Sequence, residues 1–187
     1  DDLSGHTVSI GAEESGTERN ATQILEFAGM PSSLVATKNL DYIEATKELK
    51  AGDIDAFFCT AGLTTTVIDE LSKECDIRLI PLTDTVISKM LESSLAYTSE
   101  VIPAGTYTGQ TTDISTIGVK SVLITKADVS DDTIEQLTSL LFEKENEISY
   151  SNSLKLELTY DFATDDIPIP FHDGAKRYYK ACGYSTN

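Results

Sequence analysis

Residues 7–18 read Thr7-Val-Ser-Ile-Gly-Ala-Glu-Glu-Ser-Gly-Thr-Glu18: a short apolar run, a glycine-framed turn and the start of a helix. Thr7–Ile10 predicts a strand. Ser15 and Thr17 supply N-cap oxygens, and Glu18 falls in the first turn, where the helix dipole favours a negative charge. Ile24, Leu25 and Ala28 then recur at helical spacing until Gly29 and Pro31 stop the helix. A strand that feeds a helix through a tight turn is half of a crossover unit, so the neighbouring segments decide whether a parallel sheet follows.

They repeat the rhythm. Leu34–Ala36 predicts a second strand, Asp41–Lys50 a helix ended by Gly52, and Asp55–Cys59 a third strand. Thr66–Lys73 predicts a helix, Ile77–Ile80 a fourth strand ended by Pro81, and Thr85–Glu92 another helix. The strands are short and apolar rather than alternating, as in a parallel sheet covered on both faces, so the fold class is α/β. Near residue 103 the rhythm changes. Extended Ala96–Ile102 runs into the turn-rich Pro103–Gly109, and Ile114–Thr125 is strand-like with a break near Gly118. Ser130–Glu143 predicts a helix capped by Ser130 with Asp131 and Asp132 in its first turn, and Ala175–Ala181 predicts a short terminal helix.

The chain has 187 residues, 40% of them apolar, enough for one full hydrophobic core at about 150 residues per domain. No apolar run approaches the ~20 residues of a membrane-spanning helix. Fourteen basic against 31 acidic residues leave a net charge of −17. Such a chain repels nucleic-acid phosphates and anionic membrane surfaces, so nucleic acid is excluded as a partner. Cys59, Cys75 and Cys182 form no C-x-x-C, which argues against zinc ribbons and dithiol redox sites. Nothing in the sequence calls for a cofactor or a metal.

Ser15, Gly16 and Thr17 lie between a strand and a helix, where free amides and hydroxyls suit a solute carboxylate. An ordinary βα turn with an N-cap has the same pattern. Glu13 and Glu14 in the same turn weigh against a doubly charged anion, and the absence of Gly-Lys-Ser/Thr excludes a P-loop. Thr60, Ala61 and Gly62 follow the third strand and fall on the same sheet edge, where open α/β sheets bind ligands. Cys59 as a nucleophile needs a base, and the chain offers only His6, at the other edge, and His172. A small core residue is the more economical reading of Cys59. Asp161, Asp165, Asp166 and Asp173 with His172 lack the spacing of an EF-hand loop and read as an acidic surface. Asn20-Ala-Thr22 is a formal glycosylation sequon placed in a predicted helix. Tyr107, in the Gly-framed loop, either walls a cleft or packs under that loop.

Taken in order, the stretches Val8–Ala12, Ser15–Glu18 with Asn20-Ala21, Leu49–Phe58, Thr60–Gly62, Asp76–Leu82, Ile102–Tyr107 with Gly109-Gln110, Pro170–Ala175 and Arg177–Tyr179 with Gly183 span nearly the whole chain. In that order the sequence resembles the TAXI-type solute-binding proteins of tripartite ATP-independent periplasmic (TRAP) transporters. The resemblance implies a periplasmic-binding-protein type II-like α/β fold, with mainly parallel sheets flanked by helices and two lobes closing over a small solute. It implies a non-enzymatic, extracytoplasmic protein that binds a small carboxylate or an amino acid such as glutamate or glutamine and passes it to TRAP membrane permease subunits. On this reading Ser15, Gly16, Thr17, Thr60, Ala61, Gly62 and Tyr107 are ligand-binding. Residues 1–102 form the second lobe, and 103–187 form the hinge and return segment of the first. The family's opening Thr-Gly-Gly and Tyr-Tyr type motif has no counterpart here. An incomplete first lobe implies an unpaired sheet edge near 114–125 and a possible dimer. The alternative function on the same fold is an extracytoplasmic or effector-binding sensory domain; an enzyme is a third reading.

Overall fold

The computed structural model describes residues 3–143 and 158–186. The chain divides into two compact units, residues 1–118 and 119–187.

In the first unit, β1 (Thr7–Ser9), β2 (Ala36–Lys38) and β3 (Ala56–Phe57) form a parallel sheet in the order β2-β1-β3. The register pairs Thr7 with Ala36 and Val8 with both Thr37 and Ala56. The chain leaves β1 through α1 (Gly16–Phe27) to reach β2 on one side. It returns through α2 (Tyr42–Ala51) to β3 on the other. Right-handed crossovers in opposite directions put α1 and α2 on opposite faces of the sheet. Accordingly α1 packs with α4 (Asp84–Ser93), and α2 with α3 (Thr66–Glu74). Val8 and Ile10 bury against Ala21, Leu25, Met30 and Val35. Ile24 of α1 joins Val86 and Met90 of α4 in a second cluster, with Phe58, Leu82, Tyr97 and Ile117 packed around it. A two-stranded sheet of β4 (Tyr97–Ile102) and β5 (Ile114–Val119) completes the secondary structure.

The helix boundaries follow from their caps. Ser15 Oγ accepts the Glu18 amide at 3.1 Å. Asp41 and Glu44 form a reciprocal capping box on α2, and Gly52 ends that helix in the left-handed conformation that a Cβ disfavours.

In the second unit α5 (Asp131–Glu143) packs on α7 (Asp173–Ala181), with α6 (Tyr160–Thr164) beside them. Phe142, Tyr160, Phe171, Tyr178, Tyr179 and Tyr184 stack around this contact. Gly174 sits so close to α5 that a Cβ would lie 2.2 Å from the Asp131 carbonyl oxygen.

Four strand expectations need correction. The second strand starts at Ala36, not Leu34, because the amides of Leu34 and Val35 turn back to the Pro31 carbonyl and Ala36 N is the first amide of the segment to bond across, to His6 O. Residues 77–80 join neither sheet, since β3 is two residues long and offers no further ladder; the segment first bonds across at Leu82 N to Ser115 O. Strand β5 stops at Val119, since β4, its sheet partner among the described residues, is six residues long. Val122, Leu123 and Ile124 beyond it are exposed. The third strand is likewise shorter than Asp55–Cys59, although Asp55 N and Phe58 N extend its bonding to Thr7 O and Ser9 O.

Candidate functional site

All three parallel strands end at one edge, and each delivers a turn there. β1 runs into Gly11–Ser15, β2 into Asn39 and β3 into Cys59–Gly62. The β1 turn leads into α1 and the β3 turn into α3, which packs with α2, so both turns lie at the carboxyl edge, where open α/β sheets take ligands.

The β1 turn passes beneath the first turn of α1. Gly11 has φ +99°, and a Cβ on it would lie 2.8 Å from Thr17 Cβ, so only glycine fits. Ser15 caps the helix. The amides of Gly16 and Thr17, at the first two helical positions, have no acceptor within the helix. Glu18 reaches back, its carboxylate accepting the Glu14 amide at 2.6 Å and Asn39 Nδ2 at 2.7 Å. Asn39 also donates to the Gly11 carbonyl at 3.0 Å, which ties the end of β2 to the β1 turn.

Tyr42, the first residue of α2, joins the other two turns. Its hydroxyl lies 2.8 Å from Thr17 Oγ1, accepts the Thr60 amide at 3.0 Å and donates to the Thr60 carbonyl at 2.9 Å. Asn20 Nδ2 donates to Thr60 Oγ1 at 3.3 Å. Tyr97 backs Asn20, its hydroxyl 3.0 Å from Asn20 Oδ1 and 2.9 Å from Gln23 Oε1, and partial burial raises its pKa. Along the exposed side of α1, Ser15 heads a groove of about 460 Å³ that Glu14, Glu18, Glu26 and Arg19 line.

The structure therefore brings Ser15, Gly16, Thr17 and Thr60 to one edge. Thr17 is buried, Gly16 and Thr60 are exposed, and Ala61 and Gly62 follow Thr60 as exposed turn residues. Tyr107 differs. It is 7% exposed, burial raises its pKa, and the amides of Thr65 and Thr64 oppose that rise. Its loop is held by Gln110, whose side chain donates to the carbonyls of Ile102, Pro103 and Thr112. Of the two readings of Tyr107, this position matches packing under the loop.

Burial pushes the Cys59 thiol up to about 11, with the Tyr42 hydroxyl acting against it, so the thiol is protonated at neutral pH. His6 stands at the opposite edge, its Nδ1 3.3 Å from Asp55 Oδ2. His172 caps α7, its Nδ1 accepting the Gly174 amide at 3.1 Å. Asp173 pairs with Lys176 on the surface.

Sequence reasoning missed Tyr42 and Asn39. The available signal was positional: if β1 and β3 turns meet at an edge, the residues that follow β2 arrive there too. The model of the NMT1-like family matches residues 1–183. That match takes in both the crossover edge and the α5–α7 pair, and the chain belongs to the NMT1-like family, a periplasmic-binding-like family of solute-binding proteins.

Proposed function

We propose that this chain is the extracytoplasmic solute-binding component of a TRAP-type importer, of the TAXI kind, binding a small carboxylate or an amino acid. Family membership supports solute binding. The convergence of the Ser15–Thr17 and Thr60–Gly62 turns on the Tyr42 hydroxyl is the observation that carries the site. The Gly16 and Thr17 amides and the Ser15 hydroxyl proton receive the solute carboxylate at the positive end of α1. Ala61 and Gly62 line the facing turn, and Tyr107 supports it from behind. Residues 1–102 act as the second lobe, and 103–187 as the hinge and return segment of the first. Membrane permease subunits take the solute from the closed form, which ligand selects by its higher affinity for it.

Isothermal titration tests this reading. Protein stripped of co-purified solute by unfolding and refolding is titrated with amino acids and C4–C6 dicarboxylates. Binding in the micromolar range or tighter is expected, and Ser15→Ala with Thr17→Ala weakens it at least about tenfold, the scale of losing hydrogen bonds to a charged group. No binding across the panel refutes the function. Unchanged affinity in the folded double variant refutes the site.

A further inference from the structure

Among the described residues, three that are not glycine have a left-handed backbone: Glu14 at φ 60°, Thr64 at φ 58° and Asp166 at φ 52°. Glu14 lies in the β1 turn, and Thr64 lies two residues past Gly62 on the way from β3 to α3. Two of the three thus fall in the turns that Tyr42 joins. An L-residue held left-handed is strained, and something nearby must offset the cost.

At Glu14 the hydrogen bonds identify what does so. The Ser15 amide bonds to the Ala12 carbonyl at 3.2 Å and closes a four-residue turn with Glu14 at its third position. With positive φ there, that position is one that glycine ordinarily fills. The Glu14 side chain is exposed, so burial does not hold the residue. Its amide, however, donates to Glu18 Oε2 at 2.6 Å.

Glu18 is displaced from the role its spacing suggests. Ser15-x-x-Glu18 has the form of a capping box, in which the glutamate takes the amide of the capping residue itself. Glu44 does this in α2, where it accepts the Asp41 amide at 3.4 Å. In α1 the Ser15 amide already bonds to Ala12, and Glu18 reaches one residue further back. Its other oxygen accepts Asn39 Nδ2 at 2.7 Å, and Asn39 also donates to the Gly11 carbonyl at 3.0 Å. One carboxylate therefore fastens both ends of the β1 turn, Glu14 directly and Gly11 through Asn39. Charge-assisted hydrogen bonds are roughly twice as strong as neutral ones, which suits a group that must hold a strained backbone.

We infer that Glu18 is a positioning residue: it clamps the β1 turn in a strained left-handed form and so fixes the shape of this sheet edge before anything binds there. The clamp holds whether or not the edge takes a solute, so its failure and the failure of solute binding are separate results.

Amide exchange measured by NMR on the full chain tests it. Glu18→Ala speeds exchange of the Ser15 amide at least about tenfold, the scale of losing a charged hydrogen bond, while the amides of Ile24 and Leu25 in the middle of α1 keep their rates. Adding Glu14→Gly to Glu18→Ala restores slow exchange at Ser15, because glycine keeps the turn without a clamp; adding Glu14→Ala does not. With Glu18 intact, Glu14→Gly melts about 2–4 °C above Glu14→Ala, the shift expected of one relieved left-handed residue in a chain of this size. Unchanged exchange at Ser15 in Glu18→Ala overturns the clamp. Rescue by alanine equal to rescue by glycine, or equal melting of the two Glu14 variants, overturns the strain. Loss of protection at Ile24 and Leu25 as well would mean that Glu18 supports the whole of α1, and the positioning role falls.

Discussion

The thiol of Cys59, held near 11 by its apolar surroundings, and the exposed thiol of Cys182 make a direct contrast in reactivity. Iodoacetamide at pH 7.5, followed by peptide mass spectrometry, should label Cys182 first and Cys59 far more slowly; prior labelling of Cys59 would revive it as a nucleophile. At the other sheet edge the Thr7 amide holds the Asp55 carboxyl below its ordinary value of 3.8, and His6 adds to the effect. With the folded value depressed, the unfolded chain takes up the proton first as pH falls. The stabilisation is therefore complete above about pH 5 and is lost as pH drops below 3.8. Asp55→Asn should flatten the acid limb of the pH–stability curve measured by urea unfolding; an identical limb would show that the contact contributes nothing. Ser15 and Thr17 were legible because capping is a local pattern of type and spacing. Tyr42 was not, because its hydroxyl acts on residues 25 and 18 positions away in sequence. No periodicity encodes that contact.

Elements were legible where local chemistry is complete and less so where pairing depends on a distant segment. α2 carries both of its stops, the Asp41–Glu44 box and Gly52, and forms where they place it. The apolar run 77–80 has the composition of a strand, but without a neighbouring ladder composition does not make one. The sequence also hid which glycines permit close packing. Gly174→Ala would drive a methyl into the Asp131 carbonyl and force α5 from α7. About 1–3 kcal/mol of destabilisation is expected from overpacking of this kind, read from urea midpoints; a loss below 0.5 kcal/mol would mean the helices part easily. In the first unit Met90 is fully buried between α1 and α4. Met90→Ala should cost about 2–5 kcal/mol through the cavity it leaves.

For the whole molecule, a net charge of −17 on 187 residues means self-repulsion that salt relieves. The melting midpoint should rise as NaCl goes from about 10 to 150 mM and the screening length falls from about 30 to 8 Å. A flat response would show that local pairs already compensate the excess. The α/β class and the meeting of the β1 and β3 turns at one sheet edge were legible at this scale, because the order of strand, turn and helix repeats along the chain. Hydrogen exchange with saturating L-glutamine tests whether this edge holds a solute. The expected result is slowed exchange at the amides of residues 14–18 and 59–63, with the core strands unchanged. No change at these turns, or protection confined to other segments, would contradict a solute site at the carboxyl edge of this sheet.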